Sequence, residues 1–308
     1  MISNILSPKV YAVVLMWNQS KATIACIRSL QQSNWSNLYI LIVDNNSDQI
    51  EHQYVESSCS EVSIITLLNN SGVSHAYNVG AKFAFDQGAD YVLLLNNDIE
   101  VTPNTVGNLV ELLLQLGPDH SVISPAIYYT DHKEEIWSLG GHWRSATQTI
   151  QLITRIPLGM HVGNLLKTQF LTGCCILVGE NVWKKVGGFD ETFSFYYEDW
   201  DFSLCCQREN IDLWCALDVK LYHIVGASSI KRDNSKSTSY LYAYIMGQNG
   251  YTFYRKHFSF MSLLISSAWI TTRAFVRLHF IFGIGYIDGV CKAIKNAHNH
   301  RDVTDSRD

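Results

Sequence analysis

The sequence predicts an α/β fold in which a mostly parallel sheet is flanked by helices and continued by a helical C-terminal extension. Three observations carry that expectation. Four short apolar runs rich in β-branched and aromatic residues recur over the first part of the chain, helix-like segments separate them, and each run ends in a polar cluster.

The runs are residues 10–17 (VYAVVLMW), 38–44 (LYILIVD), 62–68 (VSIITLL) and 91–95 (YVLLL). Unbroken apolar runs of this length suit strands covered on both faces. Between them, residues 20–32 place Ala22, Cys26, Ile27 and Leu30 at helical spacing, and residues 49–57 and 74–87 also read as helices. Alternation at this spacing predicts parallel strands joined by crossovers, a sheet whose ligands bind at the carboxyl ends of its strands. At those ends stand Trp17-Asn18-Gln19, Asp44-Asn45-Asn46-Ser47-Asp48, Asn69-Asn70-Ser71-Gly72 and Asn96-Asn97-Asp98. A single such cluster reads as a turn, whereas four on one rim read as a binding site.

Thr102 and Pro103 predict a helix over 102–116, with Thr102 as its cap. Irregular strands follow over 121–155, and two strand-like runs over 213–225 carry His223. The polar segment 226–238, basic at Lys231 and Arg232, reads as a loop able to close over a ligand. From 240 to 293 the pattern is helical. Its most apolar stretch, 258–270, is interrupted by Arg273, Arg277 and His279 before it reaches the length of a membrane span. That stretch predicts contact with a membrane interface or a second subunit. The divisions expected are 1–116, 117–238 and 239–308.

Composition narrows the function. With 47% hydrophobic and 17% charged residues among 308, the chain reads as an ordinary folded protein. The net charge of −5 is uneven: eight Lys and Arg against four Asp after residue 250 give that tail +4 and leave −9 on the rest. An acidic body with a basic apolar tail points to an anionic membrane surface and away from nucleic acid. No signal peptide is apparent, so a cytoplasmic protein is expected, at the cytoplasmic face of the inner membrane. Eight cysteines without a Cys-x-x-Cys pair read as small buried hydrophobes and not as a zinc site. The first strand leads into WNQSKAT, which carries neither a Gly-x-Gly-x-x-Gly turn nor a P-loop, so dinucleotide oxidoreductases and P-loop NTPases are disfavoured.

A second acidic site lies at Glu198-Asp199-Trp200-Asp201, behind the aromatic run Phe193, Phe195, Tyr196 and Tyr197. Carboxylates in a helical first turn complement the helix dipole, so a plain helix start remains an alternative.

Together VVLMWN (13–18), VDNNSDQ (43–49), NSGVSHAYNVG (70–80), LLLNNDIEV (93–101) and the stretch from Thr172 to Asn210 resemble glycosyltransferase family 2, inverting nucleotide-sugar enzymes of the GT-A fold. Within that family the chain resembles the rhamnosyltransferase-like branch of bacterial polysaccharide assembly. The resemblance covers about residues 8–257. It implies that Trp17, Asn18, Asp44, Asn70, Gly72, Asn78, Asn96, Asn97, Asp98 and Gly173 bind the nucleotide sugar, with Asp44 accepting the imide N–H of uracil or thymine. It implies a divalent cation, Mn²⁺ or Mg²⁺, at Asp98 with His223, where the imidazole favours Mn²⁺. Asp199 takes the place of the base, Glu198 is its partner, and Asp201 braces the helix start. Tyr197 and Trp200 are placed at the acceptor, and Trp137 either lines the acceptor cleft or is a core residue. Tyr77 departs from the pattern, which often has Arg there. The implied reaction moves a sugar from a dTDP- or UDP-sugar to a glycan on a lipid carrier, with a homodimer possible. A UDP-hexose donor, a non-catalytic nucleotide-sugar-binding scaffold and a nucleotidylyltransferase are the rival readings. The last would want a Gly-rich, Arg-containing loop after the first strand.

Overall fold

The computed structural model describes residues 7–159, 161–224, 236–276 and 279–305. In chain order the elements are β1 (Val10–Met16), α1 (Ser20–Gln31), β2 (Leu38–Asp44), α2 (Gln49–Ser58), β3 (Ser63–Thr66), α3 (Val73–Asp86), β4 (Tyr91–Asn96), β5 (Ile99–Val101) and α4 (Thr105–Leu116). Then come β6 (Ser121–Tyr129), β7 (Ile136–Ser138), β8 (Gly141–Arg144), β9 (Thr149–Leu152), β10 (His161–Val162), β11 (Leu165–Thr168), β12 (Cys175–Gly179), α5 (Glu180–Val186), α6 (Glu198–Arg208) and β13 (Asp212–His223). Helices α7 (Lys236–His257), α8 (Phe260–Val276) and α9 (Phe280–Asp305) complete the chain.

The main sheet runs β10-β11-β13-β6-β12-β4-β1-β2-β3, with β5 and β7 paired to β13 and β6 off this path. Strands β3, β2, β1 and β4 are parallel, as expected, and every residue of β1 is buried because both of its faces are covered. The second half is mixed: β12 is antiparallel to β4 and β6, and β13 is parallel to β6.

The register decides where the site lies. Met16 pairs with Asp44, Asp44 with Thr66 and Leu15 with Asn96, so the four polar clusters share one rim. Because β12 runs against β4, with Cys175 opposite Leu95, it delivers Gly173 and Cys174 to the same rim at its start. One core cluster packs α1 and α4 against one face of the sheet, and another packs α3, α5 and α6 against the other. Helix α3 lies close to the strands because Gly80 has no side chain: a Cβ there would stand 2.3 Å from Val13 and 2.9 Å from Val43.

Some expectations need correction. Helix α4 starts at Thr105 rather than Thr102, since the Pro103 carbonyl accepts from Asn34 N (2.9 Å) and the Thr105 hydroxyl turns back to Thr102 N (3.0 Å). The two runs expected after 212 are one strand, irregular between Ala216 and Lys220. The expected closing loop falls mostly outside the described residues, and by Lys236 the chain is helical.

The chain forms two compact units: residues 1–142, 151–194 and 198–228 make the sheet unit, and 143–150, 195–197 and 229–308 make the helical unit. In the helical unit, Asn249 Nδ2 donates to the carbonyls of Phe195 (2.8 Å) and Tyr196 (3.2 Å), and Trp143 stacks on Phe258 with centroids 4.4 Å apart. Among the described residues no helix is long and apolar enough to cross a membrane.

Candidate active site

The rim is cross-braced from loop to loop. Asn18 is left-handed (φ 56°), its amide N–H donates to Ser47 Oγ (2.7 Å), and its side-chain oxygen accepts from Asp48 N (2.7 Å). Asn45 does the same one loop further on, donating to Asn70 Oδ1 (2.9 Å) and accepting from Ser71 N (2.9 Å). Asn70 also accepts from Gly72 N (3.2 Å). Gly72 has φ +88°, and a Cβ there would meet Ser194 at 2.6 Å, so only glycine lets the start of α3 dock on that loop.

Asp44 is fully buried, and its oxygens already accept from Ser47 N (2.9 Å) and meet His52 Nδ1 (2.6 Å). It lies beneath the rim, while Trp17 stands at the mouth 46% exposed. The Asn78 amide is engaged elsewhere. It donates to Phe189 O (2.8 Å) and Glu191 Oε1 (2.9 Å) and accepts from Phe189 N (3.0 Å), tying α3 to the 187–191 loop.

At the end of β4 the three consecutive polar side chains diverge. Asn96 accepts from the Tyr77 hydroxyl (2.9 Å), Asn97 donates to Thr23 Oγ1 (2.9 Å) on α1, and Asp98 meets His223 Nε2 at 3.2 Å. Strand β13 brings His223 there by pairing with Ile99 of β5. Both partners are buried, Trp137 sits edge-on to the imidazole with centroids 4.8 Å apart, and the other ring nitrogen has no hydrogen-bond partner among the described residues. A carboxylate and an imidazole brought this close have the donor types that a divalent cation of the Mn²⁺ kind takes.

The acidic half is set by the start of α6. Asp199 Oδ2 accepts from Gly173 N (3.2 Å) and Oδ1 from Trp200 N (2.9 Å). Burial lifts its carboxyl from 3.8 to about 6, against those backbone donors. Glu198 adjoins it: a Cβ on Gly173 would lie 3.6 Å from the Asp199 Cβ and 3.9 Å from Glu198 Oε1. Trp200 is partly exposed, edge-on to Phe170. Asp201 is buried with the Cys205 thiol 3.9 Å away.

Cys174 joins the halves. Burial pushes its thiol up, and the charges of Asp98, Asp199 and Glu198 add to the effect, so all three carboxylates are within electrostatic reach of one side chain. Tyr77 likewise feels Cys174, Asp98 and Glu198, so a buried phenol stands beside them where the family often has Arg. Sequence reasoning passed over His52 and gave Asn45 and Cys174 no part beyond the stretches that hold them, since the contacts of these two join residues distant in sequence.

Tyr197 is corrected. It is buried in the helical unit against Phe253 (5.1 Å) and beside Tyr286, not presented to an acceptor. Tyr196 and Tyr197 are both left-handed, with φ 67° and 72°.

Residues 11–183 match the family described as Glycosyl transferase family 2. The chain is 28% identical over 177 residues to the low-salt glycan biosynthesis hexosyltransferase Agl10 of Haloferax volcanii, covering 56% of this chain and 54% of Agl10. It thus spans about half the length of that relative. It is 20% identical over 227 residues to the dTDP-rhamnosyl transferase RfbF of Shigella flexneri, covering 73% and 72%. Among solved structures it resembles GalNAc-T7 with UDP, GalNAc and Mn²⁺ (TM-score 0.60, 14% identity, 82% of this chain and 50% of that one). It also resembles the mannosyltransferase PcManGT of Pyrobaculum calidifontis with GDP-Man and Mn²⁺ (0.58, 11%, 94% and 88%). At these identities the structures establish a shared GT-A fold.

Proposed function

The chain belongs to glycosyl transferase family 2, and from that premise we propose that it transfers a sugar with inversion from a nucleotide diphosphate to a hydroxyl of a lipid-linked glycan in cell-surface polysaccharide synthesis. The observation that carries this is Asp199, a carboxyl lifted to about 6 yet held by two backbone donors, across Cys174 from the Asp98–His223 pair. At neutral pH it is ionised and basic enough to take a proton. It removes the acceptor hydroxyl's proton as that oxygen bonds to the anomeric carbon from the face opposite the diphosphate. The bond from that carbon to the diphosphate oxygen breaks, and its electron pair leaves with the diphosphate. Asp98 and His223 would hold a divalent cation, whose charge would offset the negative charge gathering on the leaving group.

Trp17, Asn18, Asn70, Gly72 and Asp44 form the nucleotide end, with Asp44 supporting it from below. Gly173 leaves room beside the two acidic residues, and Trp200 and Trp137 offer aromatic faces to the acceptor. The donor is dTDP-L-rhamnose, in keeping with the similarity to RfbF across most of both chains. A UDP-hexose is the second reading, favoured by the similarity to the hexosyltransferase Agl10. The protein acts in the cytoplasm at the inner membrane, where a lipid-linked acceptor would be held. Thermal shift with dTDP and with UDP, each with Mn²⁺ or Mg²⁺, tests the proposal. The larger response names the base, and no response to either nucleotide overturns the reading.

A further inference from the structure

Helix α8 carries its apolar surface on the wrong side for a helix surrounded by water. Phe260, Met261, Leu264, Ile265, Trp269 and Val276 are all exposed, Met261 by 62% and Val276 by 77%. At 100° per residue these six fall within about half of the helix circumference. The residues turned inward are Leu263, Ser266 and Ala274, which are smaller and on balance more polar. A helix packed on a water-soluble body shows the opposite pattern. The helix has no Asp or Glu, and its one cation among the described residues is Arg273.

The chain around this helix is basic. Helix α7 ends in Arg255, Lys256 and His257, two residues separate it from α8, and Arg273 stands exposed on α8 itself. Arg255 and Lys256 are exposed and line an open cavity of about 600 Å³ between α7 and α9, together with Gln248, Thr252 and Asn296. No carboxylate lines it among the described residues. The charge of the whole chain is divided in the same sense, with +4 after residue 250 and −9 before it.

We propose that α8 lies in the surface of an anionic phospholipid bilayer, its exposed apolar half at the boundary of headgroups and acyl chains and Arg255, Lys256 and Arg273 among the lipid phosphates. Charge complementarity selects this occupant. A second copy of the chain would bring one tail of charge +4, with its exposed Arg273, near another of the same sign if the two faces met, whereas lipid phosphates neutralise it. The proposal gives the lipid-linked acceptor of the reading above a surface to be held on, and to that extent rests on it.

The test uses the full chain. Truncation before α8 is avoided, because Phe258 stacks on Trp143 and the Tyr254 hydroxyl bonds the Gln148 carbonyl just ahead of it. Flotation is measured with phosphatidylcholine vesicles with and without phosphatidylglycerol. The natural sequence is expected to float with the anionic vesicles, and to float less as salt rises. Leu264→Asp with Ile265→Asp is expected to weaken binding at least about tenfold. Reversing Arg255 or Lys256 to Glu is expected to weaken it about fivefold each on anionic vesicles. Circular dichroism and the nucleotide thermal shift confirm that the variants are folded. Flotation needs no donor, so its result stands apart from the transferase reading. Failure of the natural sequence to float, or variants that float equally well, overturns the proposal. Light scattering that shows a dimer dissolved by Leu264→Asp assigns the face to a second copy and overturns it as well.

Discussion

Asp199→Asn separates the electrostatic role of this residue from its hydrogen bonds. Folding lifts the carboxyl from 3.8 to about 6, so the folded chain holds its proton more tightly than the unfolded chain. Stability therefore falls as pH rises between those two values. The destabilisation is absent below 3.8 and complete above about 6, the reverse of a carboxylate held in an ion pair. About two pH units at about 1.4 kcal/mol each set a ceiling near 3 kcal/mol, and partial exposure reduces this to about 1–2 kcal/mol. Asparagine does not titrate, but it leaves one of the Gly173 and Trp200 N–H groups without its oxygen, at about 1–2 kcal/mol irrespective of pH. The measurement is therefore a difference of differences. Unfolding of both proteins is followed at pH 4, 5, 6 and 7.5, and the advantage of the natural sequence over the variant is expected to shrink by about 1–2 kcal/mol from the lowest pH to the highest. Transfer, read as release of nucleoside diphosphate, is expected to drop about tenfold for each pH unit below 6 and to fall by about 10²–10⁴ in the variant. A stability difference flat across pH, or a rate unchanged between pH 7.5 and 5, would refute the assignment of Asp199 as the base.

Three further outcomes follow from the geometry. His223→Gln is expected to weaken Mn²⁺ binding about tenfold or more, read as the metal concentration that restores nucleotide-dependent thermal stabilisation, and an unchanged requirement would remove His223 from the site. Gly80→Ala sets a propensity gain of about 1 kcal/mol against a methyl 2.3 Å from Val13, and the clash is expected to win, with a net loss of about 1–3 kcal/mol in denaturant unfolding. Asn249→Ala strands the carbonyls of Phe195 and Tyr196 and is expected to cost about 1–3 kcal/mol. Asn249→Asp is expected to be worse, because it turns an acceptor toward two acceptors.

Features set by local apolar pattern were legible in the sequence. The run at 91–95 is all but the last residue of β4, which is apolar because both of its faces are covered, and the run at 38–44 is β2, buried from Leu41 to Asp44. Asp98 and His223 were named from motif positions, and the pairing of β13 with β5 supplies the distance between them that no spacing could give. The start of α4 was misplaced because Thr102-Pro103 suits a first turn equally well, and Asn34, a distant neighbour, decides between the two. Tyr197 was misplaced for a related reason. An aromatic beside an acidic pair reads as a sugar-stacking surface, and only the packing of α7 and α9 shows that its ring is buried. Asn78 fits a binding motif by type, yet its amide is engaged by Phe189 and Glu191, more than a hundred residues away.

The threading of the two units has a consequence for synthesis. Residues 143–150 and 195–197 leave the ribosome well before the helices that complete their unit, since Gln148 awaits Tyr254, Trp143 awaits Phe258, and Phe195 and Tyr196 await Asn249. At roughly 5–20 residues per second that wait lasts several seconds. Throughout it, the two left-handed residues just before Glu198 lack the contacts that hold them. The nascent chain can build its parallel strands early, but residues 195–197 gain the contacts of their own unit only after α7 and α9 have emerged.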